Sequence, residues 1–477
     1  MKTVKIMDPV TRIEGHLKVE VTIDSINGVQ QVVDAHCTGT LFRGFETLLK
    51  GRKPIDATVI TQRICGVCPI SHGQTSVLAL ESVSEWKAPA GARLLRNLTL
   101  GANFLQSHIL HFYLLAALDY AEGPAASPWA PAWNVDMRPG AGSAMEHLAN
   151  AIEARRRAHD LGAALGGRMP TSHAFVPGGF SQMPSDDQIR TAKAHLEWLL
   201  GFIRNTYIPD VETVAHIYTD YGSVGRGCGN LFAFGVFEMD DDYATRLFEP
   251  GYVQNGGSVV RSSIQTRSIT EAVKHSWYQD ETGGLTPDWG ETRPLYPKPG
   301  AYSWLKAPRL FDQPFEAGPL ARMRVNGDYT GGISVMDRHL ARAYETLKIA
   351  EAMSAWFFEL GGSAYDTAYE QYAGVGVGLS EAPRGALGHW VEIREKEIAN
   401  YQIITPTCWN ASPRDDKDVP GPMEQALIGT PIEDRDQPLE VLRVIHSFDP
   451  CLSCAVHMIR PDRKPVVVHG GAGRCTP

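Results

Sequence analysis

The chain has 477 residues, 43% of them hydrophobic and 21% charged, with a net charge of −9, the proportions of a globular protein with room for a large core. The negative balance argues against a general nucleic-acid binder, which needs a clustered basic surface. No apolar run reaches the roughly 20 residues of a membrane span. The start, MKTVKIMDPVTRIEG, lacks the apolar stretch of a signal peptide, so any export would depend on another chain.

Residues 4–36 alternate: Leu17, Val19, Val21 and Ile23 share one face, and Asn27-Gly28 forms a hairpin turn before Val29–Val33. A small N-terminal antiparallel sheet is expected. Residues 92–121 are apolar almost all round, which predicts a helix buried in a large core, stopped by Gly123-Pro124. Residues 143–165 and 186–207 also read as helices. The second opens just after Pro184 with Ser185-x-x-Gln188, a capping box. A further helix is predicted over 336–360, ending at Gly361-Gly362. The stretch 215–330, rich in Gly, Pro and aromatics, predicts irregular chain with a few short strands. The expected class is mainly α (α+β): a core of long buried helices, a small N-terminal antiparallel sheet and irregular Gly/Pro-rich segments, in one domain over residues 1–457.

Eight cysteines are too few for a disulfide scaffold in a chain this long, and their arrangement suggests thiolates kept for metal. Cys65 and Cys68 lie in TQRICGVCPISHGQTS, with His72 four residues on; Cys451 and Cys454 are followed by His457. In a C-x-x-C turn both sulfurs can face one metal, and thiolates select soft or borderline ions such as nickel, iron and zinc. A four-cysteine structural zinc site is one reading. Against it, most of the chain lies between the pairs, where a zinc ribbon has roughly 15–20 residues. Closing that longer loop costs about 3 kcal/mol more in chain entropy. A site built from both ends of a large helical chain sits in its middle, where chemistry is the better reading.

At these residues a resemblance emerges. R-x-C-G-x-C-x-x-x-H near the N-terminus and D-P-C-x-x-C-x-x-H near the C-terminus are joined by DPVTRIEGHL (8–17), FRGFE (42–46), EAPRGALGHW (381–390) and YQIITPTCWN (401–410). Together, in this order and over essentially the whole chain, they resemble the large subunit of nickel–iron hydrogenases.

The resemblance implies that Cys65, Cys68, Cys451 and Cys454 hold nickel, with Cys68 and Cys454 bridging to an iron that carries carbon monoxide and cyanide. Cys451 occupies the terminal position where some relatives carry selenocysteine, and it would take the proton when dihydrogen splits. His72 would donate a hydrogen bond to a bridging sulfur; the plainer reading is a packed histidine at a helix start. Glu14 matches the first proton relay, a role that burial suits by bringing a carboxylate pKa towards neutrality; the plainer reading pairs it with Arg12. Arg384 matches the arginine over the open metal position, where it would orient and polarise dihydrogen, held by Asp449. Pro383 and Thr407 match the residues that contact the cyanides.

Glu46, the backbone carbonyl of Ile403 and His457 match the ligands of a magnesium or similar divalent ion. For Glu46 the alternative is a solvated carboxylate beside Arg43. Ser107 stands where many members carry aspartate, as in the subset that includes nickel–iron–selenium enzymes. Val67 and Leu115 match two gas-channel positions and are of medium size. With the four cysteines assigned, no iron–sulfur signature remains, so electrons would leave through an iron–sulfur small subunit. Residues 458–477 would be a maturation extension, cut between His457 and Met458 by an endopeptidase once nickel-insertion proteins have acted; the alternative is an ordinary disordered terminus.

The implied reaction is H2 ⇌ 2 H+ + 2 e−. A hydrogen-sensing regulatory subunit of the same fold is the alternative, and a quinone-reducing relative is disfavoured because the nickel cysteines are present. The implied location is periplasmic or membrane-associated through co-export with the small subunit, with the cytoplasm as alternative.

Overall fold

The computed structural model describes residues 2–10, 15–120 and 144–451. Helix makes up 42% and strand 21%, and the strands form small antiparallel sheets, so the class is α+β.

The N-terminal sheet runs through β1 (Thr3–Met7), β2 (Leu17–Ile26) and β3 (Val29–Gly39). Leu17 pairs with Gly39, and Thr3 with Ile23. Asn27 and Gly28 both take positive φ, 52° and 83°, as a two-residue hairpin turn requires. Leu17, Val19, Val21 and Ile23 are all fully buried, so the alternation in the sequence is the alternation of the sheet.

Helix α1 (Pro69–Val83) starts directly on Cys68 as its N-cap, with Pro69 at the first helical position, where a missing N–H costs nothing. Helix α2 (Ala90–Leu110) is buried on all sides. The sequence predicts helix on to residue 121. Instead the chain widens into a π turn over His111–Ala116 and then a short 3-10 turn, Ala117–Asp119; Gly123-Pro124 lies outside the described residues. Helix α3 (Ala144–Gly166) packs on α2 and on α4 (Asp186–Phe202). The capping box forms: Ser185 Oγ accepts the Gln188 N–H, and the Gln188 side chain accepts the Ser185 N–H at 2.9 Å, a cap worth about 1 kcal/mol. Past α4, residues 203–207 form a second π turn. The predicted irregular stretch holds several strands of two to four residues. It also holds a buried helix that the composition did not predict, α5 (Pro319–Asn326), and the helix predicted over 336–360 forms as α6 (Val335–Glu359).

A further three-stranded sheet, β4 (Gly374–Ala382), β5 (Gly385–Arg394) and β6 (Glu397–Ile404), was not expected from the sequence. Its first strand reads GVGVGLSEA, and glycines at alternate positions look like loop. They serve close packing instead. A Cβ on Gly376 would stand 2.1 Å from the Ala79 carbonyl oxygen, and one on Gly378 2.2 Å from that of Thr75, so α1 lies directly on β4. Strands β4 and β5 close at the pair Ala382–Gly385, leaving Pro383 and Arg384 as a two-residue turn. Helices α7 (Pro422–Leu427) and α8 (Leu439–Ser447) complete the described chain. Beyond α8 the backbone turns sharply at Asp449, whose φ is 55°, and enters Cys451.

Candidate metal centre

Three cysteines meet where these elements converge. Cys65, just before α1, Cys68 at its N-cap and Cys451 after α8 have sulfurs within 4.8 Å of one another, all buried. The Cys65 and Cys451 sulfurs stand 3.2 Å apart. The backbone N–H groups of Val67 and Cys68 both point at Cys65 Sγ, at 3.3 Å each, an arrangement that favours a thiolate. The Cys451 N–H donates to Thr407 Oγ1 at 3.2 Å. Cys454, His457, Met458 and Glu14 lie outside the described residues.

Arg384, at the tip of the β4–β5 turn, is buried with Asp449. Its Nη2 stands 3.0 Å from Asp449 Oδ1, and Nη1 donates to Ser107 Oγ at 3.2 Å. The ion pair is close but poorly aligned. Nε and Nη2 of Arg384, and both carboxylate oxygens of Asp449, have no aligned hydrogen-bond partner among the described residues. Buried groups of this kind are ordinarily satisfied; here Arg384 and Asp449 are held to each other by charge at 3.0 Å. Burial works against the Arg384 charge; Asp449, then Cys451, Cys68 and Cys65, more than restore it, and its pKa lies well above the ordinary value. Burial likewise pushes the Asp449 carboxyl up, against the pull of Arg384 and Arg342. The guanidinium therefore keeps its charge, within electrostatic reach of the three sulfurs.

His72 is wholly buried on α1. Its Nδ1 meets His389 Nε2 at 3.1 Å, His389 Nδ1 meets the Tyr401 hydroxyl at 2.9 Å, and Tyr401 donates to Ser76 at 3.1 Å. Burial holds His72 neutral, with its pKa lowered to about 4. Val67 packs in the same apolar cluster as the cysteines, with Leu110 and Leu114. Leu115 is buried in the π turn but is not part of that cluster.

Glu46 lines a separate cavity of about 70 Å³ with Ile403, Glu271, Lys306 and Cys408. Its carboxylate accepts the Ile403 amide N–H at 2.9 Å and the Thr292 hydroxyl, and burial raises its pKa despite Lys306 nearby. Arg43 turns away to the backbone carbonyls of Ile64 and Arg63, at 2.8 and 2.6 Å. The bond from Ile403 comes from its amide, whereas the ion reading uses its carbonyl.

The sequence singled out none of Arg322, Glu345, Glu381 or His108, a buried charged network behind Arg384. Glu381 opens the EAPRG motif, which is a usable signal. Arg322 sits in the stretch read as irregular and carries none.

Buried thiols convergent from both ends of an α+β chain form a candidate site for a soft or borderline metal, the mark of a metalloprotein. The comparisons with known proteins agree. A family model described as nickel-dependent hydrogenase matches residues 43–138, 139–331 and 327–457, and one described as HoxL-like matches residues 3–34. The chain is 41% identical to the periplasmic NiFeSe hydrogenase large subunit of Desulfomicrobium baculatum, over 96% of this chain and 95% of that one. It is 32% identical to the hydrogenase-2 large chain of Escherichia coli K12, over 97% and 98%. The solved NiFeSe hydrogenase of D. vulgaris Hildenborough in its reduced state superposes with a TM-score of 0.88 at 39% identity, covering 96% of this chain and all of that one. The chain belongs to the nickel-dependent hydrogenase family.

Proposed function

We propose that this chain is the catalytic large subunit of a nickel–iron hydrogenase, which interconverts dihydrogen with protons and electrons. The observation that carries the proposal is the convergence of buried Cys65, Cys68 and Cys451, with the charged Arg384 in electrostatic reach, in a chain of this family. The donor set fits: three buried thiols close together suit a soft or borderline metal and not an oxygen-seeking one. Nickel and iron, when bound, supply a redox-active Lewis-acid centre at which dihydrogen is polarised.

Cys65, Cys68, Cys451 and Cys454 would hold nickel and iron, with Pro383 and Thr407 beside the carbon monoxide and cyanide that the iron would bear. Cys451 Sγ takes and releases the proton, and Glu14 carries it away. Arg384 stays charged and orients dihydrogen, while Asp449 and Ser107 hold the guanidinium. His72, kept neutral, donates to a bridging sulfur. Val67 and Leu115 line the approach of the gas. Glu46, Ile403 and His457 hold a magnesium or similar ion at the second cavity. Residues 1–457 act as one domain, and 458–477 are removed during maturation by an endopeptidase after nickel-insertion proteins have loaded the site.

Electrons leave through an iron–sulfur small subunit, in keeping with relatives named as large subunits. One such relative is named as periplasmic, and co-export with the small subunit would place this chain there. No described helix is long and apolar enough to cross a membrane. The test is metal content, infrared spectrum and hydrogen-dependent dye reduction of the purified complex. About one nickel and one iron per large subunit are expected, with bands from carbon monoxide and cyanide. Zinc alone, with neither bands nor turnover, would overturn the proposal.

A further inference from the structure

Behind the turn that carries Arg384 lies a second arginine. Arg322, on α5, is fully buried, and each of its five N–H groups has an acceptor. Nε and Nη2 grip the two oxygens of Glu345 at 2.6 and 2.7 Å. Nη1 donates to Glu381 Oε2 at 2.7 Å and to the Ala382 carbonyl at 3.1 Å. Nη2 also donates to the Pro383 carbonyl at 2.9 Å.

Both carboxylates are tied further. Glu381 Oε1 accepts the Phe234 N–H at 2.7 Å. Glu345 Oε2 meets His108 Nε2 at 2.8 Å, and His108 follows Ser107, whose hydroxyl meets Arg384 Nη1. The contacts close a ring. From Arg384 it runs through Ser107 and His108 on α2, Glu345 on α6 and Arg322 on α5, and returns through the Pro383 carbonyl to Arg384.

Stability alone does not call for such a ring, since well-packed apolar residues often replace buried ion networks without loss. A two-residue turn, however, leaves its carbonyls outside the strand ladder, and Pro383 has no N–H with which to anchor itself. Two bonds from one rigid guanidinium to successive carbonyls fix the peptide planes on both sides of Pro383, and hence the Cα of Arg384. The contact with Ser107 fixes the other end of that side chain. We propose that Arg322 is a positioning residue for Arg384, setting through this ring where the Arg384 guanidinium stands relative to the cysteines. The proposal rests on the reading of Arg384 as the group that orients dihydrogen. Positional error is costly at such a site: about 1 Å can lose about a hundredfold in rate.

Arg322→Lys keeps the charge facing Glu345 and Glu381 but has no planar fork to hold both carbonyls. In the assembled complex with its small subunit, the variant should retain wild-type nickel and iron. Turnover should fall at least about tenfold, and the carbon monoxide and cyanide bands should shift, because the turn beside the iron has moved. Combined with Arg384→Lys it should cause no further loss, since the guanidinium it positions is gone; independent structural damage would multiply instead. Multiplying losses, or unchanged bands and turnover in Arg322→Lys, overturn the inference. Should that variant fail to assemble, Glu381→Gln strains the same ring more gently and is expected to give the same non-additive pattern on a smaller scale; additive losses there overturn it equally. Wild-type complex without metal bands would be a separate result, sinking the reading of the centre itself.

Discussion

The sulfurs of Cys65 and Cys451 stand 3.2 Å apart although 386 positions separate them in the chain. Closing a loop that long is costly in chain entropy but only logarithmically so, and the buried elements on either side carry the cost. α1 fixes one end through its contact with β4, and α8 with the Asp449 turn fixes the other. Two thiols so close are poised to join wherever a metal is withheld from them. Mild oxidation of matured protein stripped of its metal should link Cys65 and Cys451, a bond that peptide mass mapping would reveal, and nickel-loaded protein should resist it. Equal linkage with and without nickel would show that these sulfurs are not the ligands.

A second expectation concerns Arg384→Lys. Lysine keeps the charge but cannot meet Ser107 and Asp449 at once while covering the three sulfurs. Metal content should be unchanged and the rate should fall at least about tenfold, roughly 1.4 kcal/mol of barrier. Unaltered turnover in a fully metallated variant would remove Arg384 from the chemistry.

The parts of this fold legible in the sequence were those with a periodic signal. The alternation of Leu17, Val19, Val21 and Ile23 gave the N-terminal sheet, and Ser185-x-x-Gln188 marked the start of α4. The β4–β6 sheet was hidden because the glycines of GVGVG, set there by the approach of α1, resemble loop. The π turn at His111–Ala116 was hidden too, since one wide turn inside an apolar helix leaves the burial pattern unchanged. At the site, the cysteines were legible by spacing, and Arg384 only through its motif. Arg322, Glu345 and His108 were not, because a buried charge network is assembled from distant elements and has no local spacing to read.

Glu424 gives a pH test well away from the cysteines. It is buried at the start of α7 and accepts the Cys37 N–H at 2.9 Å, the Tyr302 hydroxyl at 2.8 Å and, more weakly, the Gly421 N–H at 3.3 Å. Burial outweighs these bonds and the Arg414 charge, and its pKa rises from 4.5 to about 7. A carboxyl raised on folding binds its proton more tightly in the folded state. Its contribution to stability is therefore fully present below about pH 4.5 and is lost as pH rises through about 7. Glu424→Gln keeps the shape and cannot titrate. The fall in thermal midpoint between pH 5 and 8 should flatten, and above pH 7 the variant should be the more stable, by up to about 3 kcal/mol. A variant curve parallel to that of the wild type would mean that Glu424 is ionised throughout.

The last prediction concerns residues 458–477. They carry Arg460, Arg463, Lys464 and Arg474 against Asp462 alone, with three prolines and three glycines. A segment of that composition has no ready place in a core, because unpaired buried cations are expensive. Yet it follows within a few residues of Cys451, which is wholly buried. Two comparisons bear on the conflict. The nickel-dependent hydrogenase match ends at residue 457, and solved NiFeSe hydrogenase chains are covered in full by 96% of this one. An uncut tail would hold the second cysteine pair outward while metal enters; its removal would let that strand fold in over the loaded site. The large subunit of active complex should therefore end at His457 by intact mass, while protein made without nickel should keep Met458 and the residues beyond it. Active enzyme whose large subunit still ends at Pro477 would defeat the proposal, and so would tail removal that proceeds equally without nickel.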